Sequence, residues 1–272
     1  MEREAVTRTK QQSVELFTLS QRPELEDQVE LLHERSWDKF LDGAPWDYWD
    51  SLFDVFADYQ LLLCHPHDTV VAAGHTVPFI WNGTVKDLPS TLDEIIERGL
   101  NAVRHGRKTT TLSALAAMVM PEQRNQGLSS LLVRAMRSLA ARHGLESLVA
   151  PVGPILKHRY PLTPMERYMH WKRPDGSPFD PWIRVHWQLG AHILCVAPTT
   201  AISTGTVAQW EEWTGMSFPE SGLYVVPGAQ QPVDIDRERD IGRYEDPGVW
   251  MRHPLTPGED DRADDDDRPE VR

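Results

Sequence analysis

Met118-Val119-Met120-Pro121-Glu122-Gln123-Arg124-Asn125-Gln126-Gly127-Leu128-Ser129 is the stretch whose reading decides the fold. An apolar run over residues 112–120 ends there, as a strand buried on both faces should. A short polar loop follows. Residues 128–142 then place Leu128, Leu131, Leu132, Ala135, Met136, Leu139 and Ala140 at helical spacing, and Gly144 stops the helix. Residues 147–152 read as the next strand, so the order is strand, helix, strand: a βαβ unit.

The loop is the chemical part. N–H groups at the start of a helix have no helical partner, and the helix dipole favours an anion there. Gly127 lets a phosphate approach the backbone closely, Ser129 is small, and Arg124 adds a charged fork. These residues outline a diphosphate cradle. The Gly-Lys-Ser/Thr ending of a nucleotide-hydrolase loop is absent, and so is the Gly-x-Gly-x-x-Gly of a dinucleotide fold.

Outward from this unit, residues 14–19 alternate like a first strand, and 23–37 read as a helix with Leu25, Val29 and Leu32 on one side. A second helix is expected over 46–56, after the turn Asp42-Gly43-Ala44-Pro45. Strands over 60–64 and 70–78 are joined by His65-Pro66-His67-Asp68. An added helix, 89–105 at its widest, is capped by Ser90 or Thr91. Downstream, residues 151–181 hold seven prolines, which forbids a long regular helix. A short helix over 181–189 starts at Asp180 as cap, and 191–197 reads as a strand. A helix over 207–213 and short extended pieces at 223–226, 232–235 and 248–251 follow. The expected organisation is one α/β domain over 1–255, a mixed central sheet flanked by helices. Its core is 12–200, with a proline-rich loop at 151–180 and a C-terminal extension at 205–255. The acidic stretch 256–272 is expected to be disordered.

The 272 residues carry 41 acids and 28 Lys+Arg, a net charge of −13. The charge is partitioned. Residues 1–97 hold 19 acids and 7 bases, 98–173 hold 13 bases and 3 acids, and 174–272 hold 19 acids and 8 bases. The overall balance argues against a general nucleic-acid binder, while the basic band suggests one local anionic ligand or partner. Cys64 and Cys195 lie far apart and form no Cys-x-x-Cys pair, so reduced core thiols are expected. The polar first ten residues lack a signal-peptide core, and residues 185–210, though uncharged, are interrupted by Gln188, Gly190, Pro198 and Gly205. A soluble cytoplasmic protein is expected, with no membrane partner. No metal is expected, since His65-Pro66-His67-Asp68 is explained as a turn.

Arg124-Asn125-Gln126-Gly127-Leu128-Ser129, set between a buried strand and a long helix, resembles the acyl-CoA motif Gln/Arg-x-x-Gly-x-Gly/Ala of the GCN5-related N-acetyltransferase superfamily, with serine in the last place. The element order over about 12–200 is similar too. The resemblance implies an acyl-CoA or phosphopantetheine thioester as co-substrate. It implies backbone pairing of the pantetheine arm with Met118, Val119 and Met120, and a diphosphate held by Arg124, Asn125, Gln126, Gly127, Leu128 and Ser129. It also implies an amine of a small molecule as acceptor. Late in the family fold stands Tyr-x-x-x-Gly-Phe; here His186-Trp-Gln-Leu-Gly190-Ala191 puts His186 in the tyrosine's place, as an acid for the departing thiolate.

The longer string Asp180–Ala191 is also similar to the malonyl-CoA decarboxylase branch, whose histidine works with a Ser or Thr; the facing strand 149–153 has neither. A malonyl-type decarboxylase and a non-catalytic thioester or carrier-protein binder therefore stay open as alternatives. Trp46, Tyr48, Trp81, Tyr160 and Tyr168 are expected to wall the acceptor site, under a lid formed by the proline-rich loop. Arg104, Arg107, Lys108, Arg134, Arg137, Arg142, Lys157, His158, Arg159, Lys172 and Arg173 form the basic band, which suits the phosphates or an acidic acyl-carrier protein docked on residues 98–173. No residue stands out as general base.

Overall fold

The computed structural model describes residues 14–66 and 68–255. Strands β1 (Glu15–Thr18), β2 (Gln60–His65), β3 (Thr69–Phe79) and β4 (Thr111–Val119) follow one another antiparallel. β4 then returns through helix α3 (Leu128–Arg142) to the parallel strand β5 (Ser147–Val152), since a parallel neighbour requires a crossover. β6 (His192–Gly205), β7 (Gly222–Tyr224), β8 (Val233–Asp236) and β9 (Ile241–Pro254) complete the sheet. Its order is β1-β2-β3-β4-β5-β9-β8-β7, with β6 on the far side of β9.

Helices cover both faces. α3, α4 (Met165–Tyr168) and α5 (Pro181–Gln188) lie on one, where Leu132 and Met136 pack with Leu61, Leu112, Leu148 and Ile183. α1 (Glu26–Glu34) and α2 (Leu92–Arg104) lie on the other. There Val29 and Leu32 meet Leu62, Ala73 and Met118, and Ile95 and Ile96 meet Val77, Phe79 and Val149. We call these the α3 face and the α1 face. α6 (Val207–Thr214) packs a smaller cluster around Phe40, Trp210 and Tyr244.

Three expectations change. Residues 46–56 form no α-helix; the chain from Lys39 to Tyr59 makes three short 3₁₀ turns instead. The apolar spacing there serves a cluster of stacked rings rather than a regular helix. Residues 205–255 are no appendage to a core ending near 200. They supply β9, whose second half lies between β5 and β6 and whose first half lies between β6 and β8. The proline-rich loop, expected as a lid over the acceptor site, is pinned down by a buried carboxylate. Asp180, 2% exposed, accepts from the amides of Leu156, Trp182 and Ile183 and from the Tyr168 hydroxyl, capping α5 and closing the loop onto it. The acidic stretch 256–272 and His67 lie outside the described residues.

Candidate functional site

β4 and β5 pair only at Thr111–Ser147, Leu112–Leu148 and Ser113–Val149. Beyond Ser113 they splay, so the β4 edge over residues 114–119, roughly 20 Å at strand rise, has no strand beside it. A bulge sits at the apex. His75 pairs with Ala116 and Thr76 with Ala114, leaving Leu115 unpaired. The bulge changes the parity of the strand: Leu112 and Ala114 face α3 before it, Ala117 and Val119 after it.

The register also says which backbone groups face the opening. Met120 N–H donates to the Val71 carbonyl at 2.9 Å, so Met118 and Met120 spend their backbone groups on β3. Antiparallel pairs alternate, and the N–H and C=O of Ala117 and Val119 therefore point into the splay. Ala117 was not singled out in the sequence, because an apolar run does not reveal ladder phase.

At the top of the splay lies the loop. Asn125 (φ 64°) and Gly127 (φ 80°) both adopt the left-handed conformation, so the loop turns sharply into α3. Gly127 is the N-cap of α3 and no side chain caps the helix, so its first-turn donors are open. A Cβ on Gly127 would meet nothing within 4 Å, which leaves the backbone open to a ligand. Arg124, Asn125 and Gln126 are exposed around it, Gln126 bonded to Gln123 at 2.9 Å, while Leu128 is buried and Ser129 half-buried. Arg35, at the end of α1, bonds Glu122 and Met120 and ties α1 to this loop. These features fit a diphosphate followed by an extended arm.

His186 lies on the α3 face, 2% exposed, with Trp182 edge-on at 4.5 Å. Its Nδ1 is 2.9 Å from Nε2 of His253 on β9. Burial, helped by His253, pushes its pKa down to about 3, so the ring is neutral at physiological pH. An imidazolium is therefore not standing ready, and the partner is a second histidine rather than a hydroxyl.

The aromatic residues expected to wall one pocket separate into two groups. Trp46, Tyr48 and Trp81 are on the α1 face. Trp46 stacks on Trp37 at 5.4 Å and meets Trp49 at 5.4 Å, while Trp81 is 4% exposed beneath the Arg252 guanidinium. Tyr160 and Tyr168 belong to the opposite face, in a cluster with Trp171 and Phe179. The Tyr168 hydroxyl is spent on Asp180 at 2.9 Å. The loop thus covers the α3 face and not the tryptophan cluster.

The basic band is likewise divided. Lys157, 1% exposed, gives its ammonium to the carbonyls of Tyr160 and Gln230, and burial lowers its pKa. It is a packing element of the loop. Arg137 bonds the Leu189 carbonyl at 3.1 Å. Arg104, Arg107, Lys108, Arg134, Arg142, Arg159 and Arg173 remain exposed.

Beside Trp46 a small pocket is bounded by Thr91, Asp93 and Thr200. Oδ1 of Asp93 is buried there without a hydrogen-bond partner, and burial raises the carboxyl's pKa, with the charge of Asp47 adding to the shift. Cys64 and Cys195 are free thiols, and among the described residues no three metal-ligating side chains converge. No helix among the described residues is long and apolar enough to cross a membrane.

No protein-family model matches the chain. It is 33% identical over 249 residues to arginine N-acetyltransferase avaD of Aspergillus versicolor, covering 80% of this chain and 85% of that protein. Among solved structures it is similar to the loading GNATL domain of CurA from Lyngbya majuscula. The TM-score is 0.58 at 20% identity, over 89% of this chain and 98% of that one. It is also similar to the GphF GNAT-like decarboxylase in complex with isobutyryl-CoA, with a TM-score of 0.55 at 18% identity over 90% and 100% of the chains. At these identities the likeness to both structures is one of fold.

Proposed function

The chain belongs to the GCN5-related N-acetyltransferase superfamily, and from that membership we propose that it moves an acetyl group from acetyl-CoA to an amine of arginine or of a similar small guanidine-bearing amine. The observation that carries the reading is the 33% identity to an arginine N-acetyltransferase over most of both chains.

The residues sort into roles. The backbone groups of Ala117 and Val119 pair with the pantetheine arm, and Met118 and Met120 line it only through their neighbours. The open N–H groups of Gly127, Leu128 and Ser129, with Arg124, Asn125 and Gln126 around them, hold the diphosphate. The amine attacks the thioester carbonyl, the C–N bond forms, and the C–S bond breaks with its electron pair leaving on sulfur. His186, held neutral, offers the departing thiolate a hydrogen bond from imidazole rather than a proton from imidazolium. On the α1 face, the unpartnered carboxylate oxygen of Asp93 beside Trp46 suits a guanidinium, which takes both an ionic bond and an aromatic face. Free CoA is the donor in this reading. A carrier-borne thioester docked on the exposed arginines of the band is the variant that the same splay also accommodates.

The test is thiol release from acetyl-CoA across a panel of amines, with malonyl-CoA alone as a parallel arm. Thiol release that requires arginine or a guanidine-bearing amine supports the reading. Acetyl-CoA formed from malonyl-CoA without any amine, and no transfer in the first arm, overturns it in favour of decarboxylation.

A further inference from the structure

The α1 face holds a second histidine pair that the roles above leave unused. Its inner end is Gln60, fully buried. The Gln60 amide nitrogen donates to the carbonyls of Phe56 at 2.8 Å and Thr76 at 3.0 Å, and its oxygen accepts from Thr76 N–H at 3.3 Å. These bonds fix which way the amide points. Its oxygen then faces Nδ1 of His75 at 2.9 Å, and an amide oxygen only accepts, so His75 carries its proton on Nδ1. Burial holds His75 neutral, which makes its Nε2 a lone pair. Nε2 of His33 lies 2.8 Å from it and must be the donor. A neutral His33 with its proton on Nε2 exposes a lone pair on Nδ1, and no protein hydrogen bond occupies that atom.

The position of this chain matters as much as its polarity. His75 pairs with Ala116 next to the β4 bulge, level with the point where β4 leaves β5. His33, on α1, sits over His75 with ring centroids 4.9 Å apart. Trp37 stacks on His33 at 5.0 Å, with Trp49 at 5.8 Å and Phe53 at 6.1 Å around it. His33 itself is only half-buried. A base is thus held at the apex of the splay, among uncharged rings, with its inner nitrogen tied and its outer nitrogen free.

We propose that His33 Nδ1 accepts the proton of the attacking amine, and that His75 and Gln60 are positioning residues that fix its tautomer. This rests on the reading that the thioester lies in the splay with its acyl end at the apex. As the N–C bond forms, the amine N–H proton passes to Nδ1. His33 becomes an imidazolium, still donating from Nε2 to His75, and returns the proton to solvent after the thiolate leaves. The signal in the sequence was slight: His75 is the one ionisable residue of a largely apolar strand, and His33 follows Val29 by four residues on a buried helix side.

The test compares His33→Ala and His33→Gln with the wild-type chain at saturating acetyl-CoA and amine. Both variants are expected to lose about 100-fold in kcat while remaining folded and keeping their affinity for acetyl-CoA. Added imidazole is expected to restore part of the activity in His33→Ala, whose side-chain space is open, and none in His33→Gln. A kcat within a few fold of wild type in either variant overturns the inference, and so does a loss in folded His33→Ala that imidazole leaves untouched. A wild-type chain that acetylates no amine instead overturns the function itself, so the two failures are distinguishable.

Discussion

Two histidine pairs stand on opposite faces of the sheet, His253 beside Leu148 where β5 still pairs with β4, and His75 beside Ala116 where β4 has left it. On the α3 face His186 bonds His253 at 2.9 Å; on the α1 face His33 bonds His75 at 2.8 Å. The first pair is sealed, 2% and 0% exposed, and Nδ1 of His253 is buried without a partner. The second pair is anchored by Gln60 at its inner end and half-open at its outer end. Directional proton acceptance needs both an anchored and an accessible end, and only the α1 face provides the two together. In the proposed reaction the faces divide the work: His186 attends the departing thiolate from the α3 side, and His33 takes the amine proton on the α1 side.

The largest expected effect breaks or confirms what the two pairs share. Burial lowers His33 and His253 to about 4, His186 to about 3, and His75 well below its ordinary value. The unfolded chain binds these protons near pH 6.5, whereas the folded chain resists them. Stability is therefore complete above about pH 6.5 and falls as the pH drops toward about 4. Melts over that window should show a steep loss with net proton uptake. A flat profile means that the rings are hydrated and that neither pair is buried as described.

Next is the anchoring of the loop on the α3 face. Asp180→Ala removes the cap of α5 and strands the Leu156 amide and the Tyr168 hydroxyl. The expected cost is about 3–4 kcal/mol in urea melts. A cost under about 1 kcal/mol would show the loop to be loosely held, a lid after all.

Smaller effects separate the two faces by substrate. Gly127→Val puts a β-branched side chain at φ 80°, in the cradle. Acetyl-CoA affinity should fall about 30-fold, near 2 kcal/mol, with amine KM unchanged once acetyl-CoA saturates. Asp93→Asn should do the reverse. It should raise KM for a guanidine-bearing amine about tenfold and leave acetyl-CoA affinity and the KM of an uncharged amine alone. Crossed effects, with either variant moving the other substrate, dissolve the division between faces.

Much of this was legible in the chain. The α3 helix and the β5 strand run over the residues that apolar spacing picks out, because one-sided burial writes a period of its own into the sequence. β9 was legible only in part. Residues 248–251 read as extended, but Ile241-Gly-Arg-Tyr-Glu-Asp-Pro carries no strand pattern, and its neighbours β6 and β8 make it one. The bulge was hidden too, since residues 112–120 are apolar on both sides and show no phase. The cradle could be read locally because a glycine at a helix start is a local signal. The His33–His75–Gln60 chain could not, because its members are 42 and 15 residues apart and meet only through the sheet.

The division of labour is tested most directly by single-turnover acetyl transfer at saturating acetyl-CoA in Gly127→Val and in His33→Gln. The expected result is a near wild-type rate in the first, once its weakened site is filled, and a rate about 100-fold lower in the second. Equal losses in both, or the larger loss in Gly127→Val, would contradict it.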